Sequence, residues 1–126
     1  MARKHYVIFL IGLLVSSCAQ VGVISGGNED DSAPKPIAEK VSPPNESTNF
    51  QGNSVEIPFN EYFTLVNPIQ NIRMIPPHAT VNAAVKGKTL SLSWDETLEP
   101  NTTYAIYLNN TVKDLTEGND TIIQYV

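Results

Sequence analysis

Beyond residue 36 the apolar residues of this chain recur with a period of two. In the stretch SVEIPF, Val55, Ile57 and Phe59 alternate with Ser54, Glu56 and Pro58. In TLSLSW, Leu90, Leu92 and Trp94 alternate with Thr89, Ser91 and Ser93. TYAIYL sets Tyr104, Ile106 and Leu108 on one side, and TVNAAV does the same with Val81, Ala83 and Val85. Successive side chains of a strand point to opposite faces, so such alternation marks half-buried strands. Turn-forming clusters punctuate them: Pro43-Pro44-Asn45, Pro76-Pro77, Lys86-Gly87-Lys88, Pro100-Asn101 and Gly118-Asn119. Val85 and Thr89 flank the Lys-Gly-Lys piece, which reads as a tight hairpin. No window carries a helical stripe, and the best candidate, NEYFTLVNPIQNI, is interrupted by Pro68. Several short strands at this spacing predict an all-β chain, an antiparallel sandwich of about seven strands with Greek-key connections. Its expected core is Val55, Ile57, Phe59, Val81, Val85, Leu90, Leu92, Trp94, Tyr104, Ile106 and Leu108.

The first residues follow another logic. Arg3, Lys4 and His5 form a short basic patch ahead of the apolar run Tyr6 to Val15. Ten apolar residues fall short of the roughly 20 that a helix needs to span the hydrocarbon of a bilayer. A basic start, a short apolar middle and small residues after it are the pattern of a secretory signal peptide. Val15-Ser16-Ser17-Cys18 then resembles the bacterial lipobox, and Cys18 is the sole cysteine of the chain. The resemblance implies that Val15, Ser16 and Ser17 form the signal-peptidase recognition site and that Cys18 receives a diacylglycerol and becomes the mature amino terminus. Each buried acyl CH₂ contributes roughly 0.8 kcal/mol, so several chains hold a folded domain on a membrane.

From residue 19 to 36 glycines, acidic residues and prolines crowd together with no period of 2 or 3.6. Such composition buries too little apolar surface to offset chain entropy and is expected to act as a flexible spacer. The expected organisation is therefore a signal peptide over 1–17, the lipidated cysteine and tether over 18–36, and the sandwich over 37–126. The acidic cluster Glu29, Asp30, Asp31 begins eleven residues beyond Cys18, further than an acidic export signal next to the lipidated cysteine would lie, and reads as solvated linker. Ala19 is not the aspartate that often retains lipoproteins in the inner membrane, which places the expected anchor in the outer membrane.

The order of elements resembles one family. Ser42-Pro43-Pro44-Asn45 opens towards a strand that leads to Phe59-Asn60-Glu61, and Leu98, Pro100, Thr102, Tyr104 and Ile106 form a Leu-x-Pro-x-Thr-x-Tyr-x-Ile segment. The turn DLTEGN, Asp114 to Asn119, follows. Together these resemble the bacterial Ig-like domain of the S-layer (SbsA) type, over roughly residues 36 to 126, and the leader and tether resemble those of lipoproteins that carry such a domain first in a longer chain. A tyrosine that opens a strand after a Leu-x-Pro turn has the arrangement of a tyrosine corner, which gives Tyr104 a structural role. The chain stops at Val126 inside the strand TIIQYV, where relatives continue, so it reads as the amino-terminal part of a longer lipoprotein.

Little in the sequence points to chemistry. A net charge of −5 argues against nucleic acid, which needs clustered Lys and Arg. One cysteine and two distant histidines, His5 and His78, supply no metal cluster, and no cofactor is expected. Glu61, Asp95, Glu96, Asp114 and Glu117 are the only candidate catalytic groups, and they read as solvated loop acids, so no enzymatic activity is expected. Asp114, Glu117 and Asn119 are a weak oxygen set for a hard cation, off the spacing of an EF-hand loop. Sequons at Asn45, Asn101, Asn109 and Asn119 read as loop composition beside a lipobox, while Asp31-Ser32-Ala33 and Asp120-Thr121-Ile122 resemble a short bacterial O-glycosylation motif. The expected function is a structural, adhesive or protein-interaction module, anchored to the bacterial envelope through Cys18, with an envelope protein or glycan as partner. The alternative is a carbohydrate-binding module, which needs aromatics exposed on one face; Tyr62, Phe63, Tyr107 and Tyr125 are the candidates.

Overall fold

The computed structural model describes residue 27, residues 31–115 and residues 120–126; Cys18, the lipobox-like residues before it and the Thr116–Asn119 part of the DLTEGN turn lie outside them. Among the described residues there are seven strands: β1 (Ser54–Pro58), β2 (Phe63–Leu65), β3 (Ile72–Ile75), β4 (Asn82–Lys86), β5 (Thr89–Ser93), β6 (Ala105–Asp114) and β7 (Asp120–Tyr125). One helical turn, α1 (Pro68–Asn71), separates β2 from β3, and a short 3-10 turn, Ala38–Lys40, precedes β1. All named pairings are antiparallel, and the fold is an Ig-like all-β sandwich.

The first sheet runs β1-β5-β4. Val55 faces Leu92 and Ile57 faces Leu90 across the β1/β5 pair, which sends all four inward. Outward, the Ser91 hydroxyl donates to the Glu56 carboxylate at 2.7 Å. The β4/β5 hairpin closes through the two residues Gly87 and Lys88, and Gly87 sits at φ +63°, where a residue with a Cβ is strained.

In the second sheet β6 is the centre. Its carboxyl-terminal half pairs with β2 and its amino-terminal half with β3, while β7 pairs with both halves. β2 and β3 therefore lie end to end along one edge of β6, with β7 on the other. The break between them has a matching irregularity on β6. From Leu108↔Ile123 to Val112↔Thr121 the register advances four residues on β6 against two on β7. Asn110 at φ 47° takes up the surplus, and Asn67 at φ 47° turns the chain into α1. Asparagine tolerates this left-handed region better than most residues. Pro68 starts α1, where its missing N–H costs nothing, and the Thr111 carbonyl of the bulge accepts from Val66 N–H at 2.8 Å. Pro68 thus interrupts a strand, and a single helical turn fills a window with no helical stripe.

The core lies between the two sheets, with Leu90, Leu92, Leu108 and Val112 fully buried. Phe59 and Phe63 meet with ring centroids 4.5 Å apart and tie the end of β1 to the start of β2. Of the expected core, Val85 is a correction: it is 40% exposed. It shares the inward face of its partner Leu90, but β4 is the outer strand of its sheet and the second sheet does not cover it there. Tyr104 is half-buried and packs against the core from the rim. Phe63, Ile72, Met74, Val112, Ile123 and Tyr125 complete the core from residues outside the expected set.

The packed domain also begins earlier than residue 37. Pro34 is fully buried, Pro36 bridges Phe59, and Ser42 bridges Glu56. Lys35 N–H donates to the Asn60 side chain at 2.7 Å, and Ile37 N–H donates to the Pro58 carbonyl at 2.7 Å. These prolines suit an edge segment, where a missing N–H leaves no ladder bond unmade. With this segment as strand A and β2/β3 as a broken strand C, the arrangement is ABED over CFG, as in seven-strand Ig-like sandwiches.

Candidate functional site

Three loops meet at one end of the sandwich: the segment before β1 (residues 43–53), the β3–β4 loop (76–81) and the β5–β6 loop (94–104). Tyr104 stands among them. Its hydroxyl accepts the Glu99 N–H at 3.1 Å, and its ring lies 5.5 Å from that of His78. His78 in turn donates from Nε2 to the Thr97 carbonyl at 2.7 Å. One aromatic residue therefore links the β5–β6 loop to itself and to the β3–β4 loop.

A cavity of about 890 Å³ opens between the segment before β1 and the β5–β6 loop. Its floor is apolar, formed by Val55, Met74, Trp94 and Ile106. Phe50 lines it and packs edge-on to Trp94, with centroids 6.2 Å apart. Gly52 lets Phe50 lie there, because a Cβ on it would come within 2.6 Å of the Phe50 ring. Trp94 is 2% exposed, and its indole N–H has no hydrogen-bond partner among the described residues. An unpaired buried donor costs roughly 1–3 kcal/mol, so most such groups in folded proteins are paired. Tyr125 closes the far wall. Its hydroxyl donates to the Pro43 carbonyl and, at 3.0 Å, to that of Pro44, and burial raises its pKa above the ordinary tyrosine value.

The aromatics expected for a sugar-binding face do not form one. Phe63 and Tyr125 are buried because β2 and β7 turn them into the core. Tyr62 is exposed but stands at the opposite end of the sandwich, with the Lys88 ammonium 4.9 Å above its ring. Tyr107 alone lies on the outer face of β6, between Arg73 and Gln124, half-buried.

The carboxylates divide between the two ends of the sandwich, with Glu61 just ahead of β2 at the end where Asp114 lies. Asp95 and Glu96 follow β5 at the cavity end, whereas Asp114 closes β6 at the other. A strand of ten residues rises about 30 Å, far beyond the ~5–10 Å that paired catalytic carboxylates need. Asp114 is buried, and Glu117 and Asn119 lie outside the described residues. Among the described residues no group of three or more His, Cys, Asp or Glu could hold a metal ion. Of the sequon residues, Asn45 has its side-chain oxygen occupied by the Val126 N–H at 2.7 Å. The Phe50–Gly52–Trp94 cluster was not legible beforehand, because a contact between residues so far apart leaves no local pattern.

No curated protein matches the chain, and neither does any solved structure. A family model does: that of the bacterial Ig-like domain matches residues 30–125, most of the chain, and its start agrees with the packing of Pro34 to Pro36. Domains of this kind are generally non-catalytic structural modules of bacterial surface proteins. The two-sheet topology and the match together show that the chain belongs to the bacterial Ig-like domain family.

Proposed function

We propose that the chain is a lipid-anchored display module of the bacterial envelope, held in the outer membrane through Cys18 and presenting its Ig-like sandwich to an envelope protein. The observation that carries this reading is the succession basic patch, short apolar run, Val15-Ser16-Ser17-Cys18, then a spacer rich in glycine and acid. No helix among the described residues is long and apolar enough to cross a membrane. Attachment through acyl chains supplies the anchor without one. The domain then contributes rigidity and surface rather than catalysis: two sheets packed face to face hold loops at both ends in fixed positions.

Intact mass spectrometry of the membrane fraction tests the anchor. The wild-type chain, expressed in a bacterial host, loses its first 17 residues and gains a diacylglycerol at Cys18; Cys18→Ala retains the leader and lacks the lipid. An unmodified wild-type chain in the soluble fraction overturns the proposal.

A further inference from the structure

We propose that the cavity between the segment before β1 and the β5–β6 loop binds a neutral, hydroxyl-rich ligand, a short stretch of glycan chain, and that Trp94 and Tyr104 supply its hydrogen-bond donors. Four observations converge on that chemistry. Its volume, about 890 Å³, lies in the range of small-molecule sites, roughly 300–1,000 Å³. The charged side chains of its wall are Glu46 and Glu99, with no Lys or Arg among the described residues, so a phosphate, sulfate or carboxylate ligand finds like charge and no cation to pair with. Most of the remaining polar wall is uncharged hydroxyl and amide, with Gln51, Asn101 and Thr103 among it, which both donates and accepts as sugar hydroxyls require. Finally, two donors on the wall are unspent. Among the described residues the Trp94 indole N–H is buried with no partner, and the Tyr104 hydroxyl accepts from Glu99 with no acceptor for its own proton.

The apolar floor suits the same ligand, because a sugar ring presents C–H groups on one face and hydroxyls at its edge. Phe50 offers that face a flat surface beside Trp94. Because the indole N–H is sealed from water, a ligand reaches it only when the wall around it gives way, and the segment before β1, which carries Phe50, is not part of a strand. This site is separate from the aromatics Tyr62 and Tyr107, and it does not depend on how the chain is anchored.

Trp94 is the sole tryptophan, so one indole N–H resonance reports the site. The ¹⁵N-labelled protein is titrated with maltotriose, cellotriose, mannotriose and chitotriose. At least one shifts the Trp94 indole signal saturably, together with backbone amides of Phe50 and Thr103, and Gln51→Ala and Phe50→Leu each weaken binding several-fold. Gln51 is exposed, so its replacement leaves the fold intact even if Phe50→Leu does not. Silence with all four trisaccharides overturns the proposal. So does a shift with octanoate or dextran sulfate alone, or a sugar-induced shift that neither variant weakens.

Discussion

The Tyr104 hydroxyl accepts the backbone N–H of Glu99, five residues earlier, at 3.1 Å. The bond closes the β5–β6 loop on itself where β6 begins, the position a tyrosine corner holds. Tyr104→Phe keeps the ring against His78 and removes only this bond, so the expected loss is about 1 kcal/mol. Urea melts of the two proteins check it; equal midpoints at equal slopes would sink the structural assignment.

Tyr125 makes a related prediction with a pH dependence. Desolvation by burial raises its pKa. Below the ordinary tyrosine value both folded and unfolded chains carry the proton, and stability from this group is fully present. Above it the unfolded chain releases the proton while the folded one holds it, so the folded state binds more protons and stability falls as pH climbs through the raised pKa. Thermal melts on the alkaline side of that ordinary value should show wild type declining more steeply than Tyr125→Phe. At neutral pH the variant should lose about 1 kcal/mol with its hydrogen bonds to Pro43 and Pro44. Parallel alkaline declines would contradict this.

Leu92 and Val85 sit in adjoining strands with opposite expectations. Leu92 is fully buried, and Leu92→Ala should cost about 2–5 kcal/mol through lost burial and the cavity left behind. Val85, at the rim of the outer strand, should tolerate alanine within about 0.5 kcal/mol. Denaturant midpoints for the pair measure where the core ends. A Val85→Ala loss rivalling that of Leu92→Ala would mean the second sheet reaches further than the structure places it.

Gly52→Ala tests how Phe50 is held. The added Cβ would lie 2.6 Å from the far end of the Phe50 ring, which must swing away. A ring moves more cheaply than backbone, so the stability loss should stay at about 1 kcal/mol, the low end for overpacking. The clearer readout is Trp94 fluorescence, since Phe50 is its edge-on neighbour. Emission unchanged in wavelength and intensity would show that Phe50 does not depend on Gly52.

The alternating strands were legible because each writes its own burial into a period of two: Val55 and Ile57 in β1, Leu90 and Leu92 in β5, Ile106 and Leu108 in β6. The Gly87 turn was legible because one residue type suits its backbone. Other parts depend on partners distant in sequence. Phe63, Ile72 and Met74 are buried only because β2 and β3 share one edge of β6, and nothing local announces that a broken strand continues beyond α1. Val85 followed the period and still lies at the rim, because alternation tells which face a residue is on and not how far the opposite sheet extends. Pro34 to Pro36 read as linker because proline hides an edge strand's pattern. The cavity joins residues near 50 to residues near 100, a pairing that only the closed sandwich creates.

The way the first packed segment is attached has a mechanical consequence. A pull on the chain ahead of Pro34 meets first the buried Pro34 and a few backbone contacts, among them Lys35 with Asn60, Ile37 with Pro58 and Ser42 with Glu56. The next holds tie the chain to the β7 strand that pairs with central β6: the Tyr125 hydroxyl donates to the Pro43 and Pro44 carbonyls, and Glu46 N–H meets the Val126 carbonyl. Under tension the segment from 35 to 42 should strip off first and lengthen the chain by up to about 25 Å, at 3.3–3.6 Å per residue, while both sheets stay closed. Single-molecule stretching would show this as a small early step ahead of the main rupture. Such a domain yields slack to a sudden load before it surrenders its fold.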